Sequence, residues 1–211
     1  MRSRVMAWDK IFPLGDPPDY EPSPEFSIAA QAEMKGMPPD ELAYDFLLKN
    51  NGKNILYRPL SNYSYGNLDA VADMMEDPHS LVGLGDGGAH VGILSDASAM
   101  TYMITHWTRD RTRGRKVKLP WAIKRLTSDN AATLGLTDRG MIKIGKKADL
   151  NVINYEHLKI NPPEVRYDLP AGGKRMVQTI EGYDATILSG HIVARHGKPT
   201  EFLPGKLVRS S

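Results

Sequence analysis

The chain has 211 residues, enough to bury a sizeable core as one large or two small domains. Its 27 basic and 25 acidic side chains leave a formal net charge of +2, which argues against nucleic acid or an anionic membrane as a partner. Cysteine is absent and no run of about 18 apolar residues occurs, so we expect a soluble, cytoplasmic protein without disulfides or a membrane-spanning helix.

The predicted elements begin with a proline-rich arm. Residues 1–22 contain several prolines and no apolar period, which predicts an irregular, extended segment. Ser23 followed by Pro24 predicts a helix start, and Gly36 is expected to end that helix. A second helix is expected to run from Pro39 to an Asn-Asn-Gly turn, and further helices are expected at 67–77, 95–111 and 120–135.

Two apolar segments alternate with these helices and have the length of strands. They are NILYRPL (54–60) and SLVGLGD (80–86). Strands that alternate with helices favour βαβ units, a parallel sheet and right-handed crossovers. About two such units fit before residue 135, which is too few to close a barrel. We therefore predict an α/β fold for residues 23–135.

The chain changes character after residue 135. Residues 136–211 contain short β-branched runs, and Ser189 with Gly190 has the composition of a hairpin turn. In ADLNVIN (148–154), Asp149 is expected to support the turn into a strand. We predict a small all-β part that begins near residue 136.

Several segments in order along the chain carry a family resemblance. LGLTDRGMIKIGKKADLNVIN (134–154) resembles the segment of metal-dependent amidohydrolases in which the chain leaves a TIM barrel for a small β-sandwich. Four further segments resemble the D-aminoacylase (N-acyl-D-amino-acid deacylase) branch of that superfamily: GLGDGGAH (83–90), THWTRDRTRG (105–114), DLPAGGKRMVQTIEGYDATILSG (168–190) and LPGKLVR (203–209).

The resemblance implies a particular place for this chain within the family fold. Residues 23–135 would be the last βα units of a TIM-like barrel, and residues 136–211 would supply strands of the β-sandwich. Because the resemblance covers only the end of that fold, we expect a C-terminal portion of a larger enzyme. Its partners would be a missing N-terminal barrel half or a second copy of the chain.

Asp86 is the candidate catalytic residue. It closes the apolar run at 80–86, and catalytic groups lie at the carboxyl ends of barrel strands. The resemblance implies that Asp86 is the general base on a zinc-bound water and then passes the proton to the leaving amine. Asp86 is also a candidate metal ligand. The position of Asp86 between glycines also fits a turn residue without a catalytic role.

Three further residues are candidates for substrate binding. His90 follows Asp86 in the same motif, and Asn62 and Tyr63 follow the strand at 54–60. A solvated loop histidine and an Asn/Gly turn are the alternative interpretations. The arginines in RDRTRG could meet a substrate carboxylate or could form a solvated helix end, and they are Arg109, Arg111 and Arg113.

The resemblance implies zinc as the cofactor, but this chain lacks the expected ligands. The family's metal cage begins with a His-x-His pair, and no two of the six histidines here have that spacing. Zinc sites normally take three protein ligands and a water. We therefore expect the chain by itself to be inactive.

Three functions stay open at this point. The first is the C-terminal part of an amidohydrolase that cleaves non-peptide C–N bonds in a small acylated amine or amino acid. The second is a non-catalytic remnant or interaction module that keeps the tail of the fold. The third is an independent α/β domain without hydrolase chemistry.

Overall fold

A computed structural model of the chain describes residues 7–83, 85, 90–93 and 96–208. Within these ranges the α-helices all precede residue 135, and most strands follow residue 149. This mixture of helices and strands confirms the expected α/β class. The helices are α1 (Ile28–Lys35), α2 (Pro39–Gly52), α3 (Asp69–Glu76), α4 (Ala99–Thr105), α5 (Leu119–Leu126) and α6 (Ser128–Thr133).

The strands form four small antiparallel sheets in the described part of the chain. One pairs β1 with β2, one has the order β10-β9-β8-β3, and the others pair β4 with β7 and β5 with β6. The strands are β1 (Phe12–Pro13), β2 (Leu56–Tyr57), β3 (Leu150–Ile153), β4 (Lys159–Ile160), β5 (Glu164–Leu169), β6 (Gly173–Val177), β7 (Ile180–Glu181), β8 (Tyr183–Leu188), β9 (His191–Arg195) and β10 (Lys198–Pro199).

Helices α1 and α2 end where the sequence predicts. Gly36 adopts a φ of 63° and caps α1, and the Asn-Asn pair that ends α2 is also left-handed, with φ of 52° at Asn50. The start of α1 differs from the prediction. Ser23 precedes a separate 3₁₀ turn, and the N-cap is Ser27, whose Oγ accepts from Ala30 N at 3.2 Å.

The predicted parallel sheet is wrong for the described residues. Strand β2 pairs antiparallel with β1 of the arm, and residues 80–83 and 85 belong to no strand. Val82 instead offers its carbonyl to the side chain of Asn130 at 2.8 Å. A parallel pair needs two extended segments side by side, and this second segment makes its contacts to a helix instead.

The hairpin predicted at Ser189 and Gly190 is confirmed. It joins β8 to β9, and both residues have positive φ, 50° and 83°. Asp149 has the structural role that we expected, because its carboxylate accepts from Ser189 N at 2.8 Å and from Arg139 Nη1 at 3.2 Å. The β5–β6 hairpin has no counterpart in the sequence prediction.

Two apolar clusters form the core of the helical part. The first lies between the arm and helices α1 and α2 and consists of Ile11, Ile28, Ala32, Leu42 and Ala43. The second joins α3, α4 and α5 and consists of Ala72, Met75, Met103, Trp107, Val117 and Ala122. None of the helices within the described residues has both the length and the apolar character needed to cross a membrane.

The strand part packs against helix α4 and the turn that follows it. Thr101 and Tyr183 share a hydrogen bond of 3.0 Å between their hydroxyls, and Thr108 bonds the Tyr155 hydroxyl at 2.7 Å. Arg109 Nη2 donates to Leu158 O at 2.7 Å. These polar contacts fix β4 beside α4, which is the arrangement that shapes the site described next.

Candidate functional site

A buried ion pair joins the arm to the end of helix α4. Arg111 is only 1% exposed, and its guanidinium grips Glu21 with two bonds, Nε to Oε2 at 2.9 Å and Nη2 to Oε1 at 2.8 Å. Nη2 also donates to Asp69 Oδ1 at 2.8 Å, and Nη1 donates to Arg115 O at 2.8 Å. The guanidinium lies 4.6 Å from the centre of the Trp107 ring. Its positive charge is therefore fully compensated inside the molecule.

A π-helical turn over His106–Asp110 produces this arrangement. The turn extends α4 by a wider loop, closed by the bond from Arg111 N to His106 O at 2.8 Å. His106 in this turn and Arg111 directly after it both bond Glu21 of the arm. Single π turns of this kind are frequent at functional sites.

Glu21 also receives bonds from the backbone and from His106. Leu68 N donates to Oε1 at 2.8 Å, and His106 Nε2 lies 2.9 Å from Oε2. Burial raises the pKa of Glu21, but the bonds from Arg111 and Leu68 and the charge of Arg111 outweigh it and hold the pKa below its usual value. Because the ionised carboxylate only accepts, the His106 Nε2–H is the donor.

His106 is neutral in this setting. Burial lowers its pKa, and that effect exceeds the opposing influence of Glu21. Its ring stacks on Tyr102 at 4.4 Å between centroids and meets Trp107 edge-on at 5.5 Å. His106 therefore packs among aromatic side chains and also makes a hydrogen bond to Glu21 that the sequence did not reveal.

Arg113 and Tyr63 form the second contact between the arm and the rest of the chain. Arg113 Nη1 donates to Glu21 O at 2.8 Å and to the Tyr63 hydroxyl at 3.0 Å, and Nη2 donates to Gly66 O at 2.8 Å. The Tyr63 hydroxyl in turn donates to Pro22 O. Burial raises the pKa of Tyr63, so the hydroxyl stays protonated.

The structure describes three of the four predicted site residues. Asp86 lies outside the described residues. Asn62 and His90 are exposed and left-handed, with φ of 61° and 48°, whereas Tyr63 is buried against the arm. Within the described residues, none of the hydrogen bonds joins any two of Asn62, Tyr63 and His90. Their proposed roles in substrate binding remain predictions.

Arg111 of RDRTRG is neither a free contact for a substrate carboxylate nor part of a solvated helix end. It is not solvated, and its donors are taken by Glu21, Asp69 and a backbone carbonyl. Arg109 pairs with its neighbour Asp110 and with carbonyls of the strand part. Glu21 could not be recognised from the sequence because its partner lies 90 positions away, and only its location in the arm, beside Pro22, distinguishes it.

A cavity of about 280 Å³ opens beside the ion pair. Residues 17–21 of the arm form one wall, α4 and its π turn form the second, and Leu158 with strand β4 forms the third. His106 and Arg113 both line it. The cavity thus lies where the arm, the helical part and the strand part meet.

The described residues do not provide the zinc site that the resemblance implies. Among them, no three side chains of the His, Cys, Asp or Glu types are arranged to hold a metal. The histidines contact local partners instead: His79 with Asp77, His157 with Asn154, His191 with Phe202 and His196 with Asp184. Because zinc normally needs three protein ligands, the described residues do not fit a zinc site.

By its architecture the chain is an α/β protein with a cavity between its helical and strand parts. Its residues 18–194 match the model of the amidohydrolase family, so the match includes both parts and the ion pair. The chain belongs to the amidohydrolase family. Its class is therefore that of hydrolases of the amidohydrolase superfamily, as the segment at 134–154 and the GLGDGGAH motif led us to expect. No curated protein and no solved structure gives a significant match to the chain.

Proposed function

We propose that the chain is the C-terminal part of an amidohydrolase that cleaves non-peptide C–N bonds in small N-acylated amines or amino acids. The family match across residues 18–194 carries this proposal, because it contains the GLGDGGAH segment and extends well into the strand part. The acyl-amino-acid substrate follows from the resemblance of that segment and of 168–190 to the D-aminoacylase branch.

Asp86 is the proton carrier in this proposal. Water attacks the amide carbonyl, a C–O bond forms and the C–N bond breaks, and the products are a carboxylic acid and an amine. Asp86 accepts the proton of the attacking water and delivers it to the leaving nitrogen. A zinc ion of the kind that the resemblance implies would supply Lewis-acid chemistry, and its ligands would come from outside the described residues.

Asn62 and His90 are the proposed substrate contacts. Both are exposed, and an amide and a neutral imidazole can each donate to or accept from an acyl group. Tyr63 would act differently, because its hydroxyl already bonds Pro22 O and Arg113. We propose that Tyr63 holds Asn62 in place rather than binding substrate with its hydroxyl.

The test begins with the DNA upstream of the codon for Met1. We expect a reading frame that encodes a His-x-His pair, and we expect its product, co-expressed with this chain and zinc, to release methionine from N-acetylmethionine. Asp86→Asn should lower the rate at least about 100-fold in that complex, as loss of a general base does. The exposed Asp45→Asn on α2 is the matched control and should leave the rate unchanged.

Two results would overturn the proposal. An unrelated upstream sequence would favour the non-catalytic remnant or interaction module. Full activity of the Asp86→Asn complex would remove Asp86 from the chemistry.

A further inference from the structure

The charged groups that line the cavity beside the ion pair differ in whether they already have a partner of opposite charge. Two of its acids are paired with a cation, Glu21 with Arg111 and Asp110 with Arg109, and the third, Asp19, accepts the backbone N–H of Glu21 at 2.8 Å. Arg109 is likewise satisfied. The carboxylates lining the cavity therefore have partners of their own.

Two of its cations are not neutralised in the same way. Arg113 donates to the Glu21 and Gly66 carbonyls and to the Tyr63 hydroxyl, all of them uncharged acceptors. Lys159 lies at the start of β4 and lines the same cavity. Among the described residues, neither cation has a carboxylate within ion-pair distance.

Part of the remaining lining is apolar. Leu158 is fully buried and Ile160 is 7% exposed, and the rings of Tyr20 and Tyr102 contact each other edge-on at 5.7 Å. The volume of about 280 Å³ is just below the usual range for small-molecule sites. The walls can therefore surround a short aliphatic group but not a peptide or a nucleotide.

We propose that this cavity binds a small organic carboxylate. Lys159 and Arg113 would attract its negative charge, and Leu158 and Ile160 would contact its hydrocarbon part. An organic carboxylate fits better than inorganic phosphate because phosphate has no hydrocarbon part to contact Leu158 and Ile160. The inference does not depend on hydrolysis and stands apart from the proposed function.

An NMR titration of the ¹⁵N-labelled chain tests the site with three probes. The probes are isovalerate, its uncharged amide isovaleramide, and inorganic phosphate. We expect isovalerate to shift the backbone amides of Leu158, Lys159 and Ile160 in a saturable way, with a Kd on the order of millimolar. Isovaleramide and phosphate should each bind at least about tenfold more weakly.

Lys159→Gln is the informative variant because its side chain is exposed and its loss should not disturb folding. It should weaken isovalerate binding about fivefold, the effect of removing one charged contact. Lys174→Gln is the matched control, since Lys174 is also an exposed lysine on a short strand, β6, and it should leave binding unchanged. The dispersion of the spectra confirms that both variants are folded.

Three outcomes would overturn the proposal. Equal binding of isovaleramide would show that charge is not recognised. Tighter binding of phosphate would indicate a general anion site without an organic pocket. Equal losses in the Lys159 and Lys174 variants would indicate attraction to the surface rather than to the cavity.

Discussion

Arg111 carries a full positive charge in a place that water does not reach. Removing an ion from water costs several kcal/mol, and the cost is offset only when geometry and hydrogen bonding are nearly complete. Both carboxylate oxygens of Glu21 accept from the Arg111 guanidinium. Asp69 and the Arg115 carbonyl accept further bonds from it. The ring of Trp107 covers one face of the guanidinium. The ion pair therefore holds the arm against the end of α4. Removing either partner leaves the other charge buried and unpaired.

Arg111→Met should lower the free energy of unfolding by about 3–5 kcal/mol, because it leaves Glu21 buried without its cation. Urea unfolding followed by circular dichroism measures the change. The double variant Glu21→Gln with Arg111→Met should recover part of the loss, since the uncompensated carboxylate is gone.

Arg115→Met is the control for this series. Arg115 pairs with Asp73 at 2.7 Å, but its side chain is 47% exposed, and such pairs contribute less than about 1 kcal/mol. An Arg111 variant no less stable than the Arg115 variant would contradict the role of the buried pair.

At the scale of single elements, helix ends and strands differ in how well they can be predicted. The ends of α1 and α2 follow from Gly36 and the Asn pair, because left-handed backbone is a local preference of those residues. The strand predicted at 80–86 fails in its described residues because a strand exists only where a partner runs beside it. The segment at 54–60 does contain a strand, but its partner is the arm.

Ser27→Ala should destabilise the protein by about 1 kcal/mol, because it removes the N-cap bond to Ala30 N. Thermal unfolding followed by circular dichroism measures the difference. Ser23→Ala is the matched control, since Ser23 makes no side-chain cap bond at the preceding 3₁₀ turn, and it should have little effect. The reverse order of the two losses would place the helix start at Ser23.

The whole molecule exposes more surface than its mass predicts. Its accessible surface is 14242 Å², whereas a compact monomer of 23.4 kDa should expose about 9,700 Å². Part of the excess is apolar, as on the outer face of α2, where Tyr44, Leu47 and Leu48 are exposed at helical spacing. An excess of this size is comparable to what obligate interfaces cover.

We therefore expect the isolated chain to be marginally stable or to associate, either with itself or with a second polypeptide. Sedimentation velocity over a 50-fold range of concentration, combined with urea unfolding, tests this expectation. Association should raise the unfolding midpoint as concentration increases. A monomer with a sharp, concentration-independent transition would contradict it.

The family, the helix ends and the β8–β9 hairpin could all be predicted from the residues, because each depends on neighbours within a few positions or on a recognisable motif. The role of Asp149 in its turn belongs to the same group. Asp86, Asn62 and His90 remain candidates on that evidence, and Tyr63 gains a structural contact that its motif did not suggest.

The Glu21–Arg111 pair and the cavity beside it could not be predicted, since they join segments 90 positions apart. Nothing local distinguishes Arg111 from Arg109 or Arg113 in RDRTRG, yet one is buried and the others are only partly covered. Which of the three arginines becomes buried depends on the packing of the arm against α4. The desolvation cost of that arginine arises only when this contact forms.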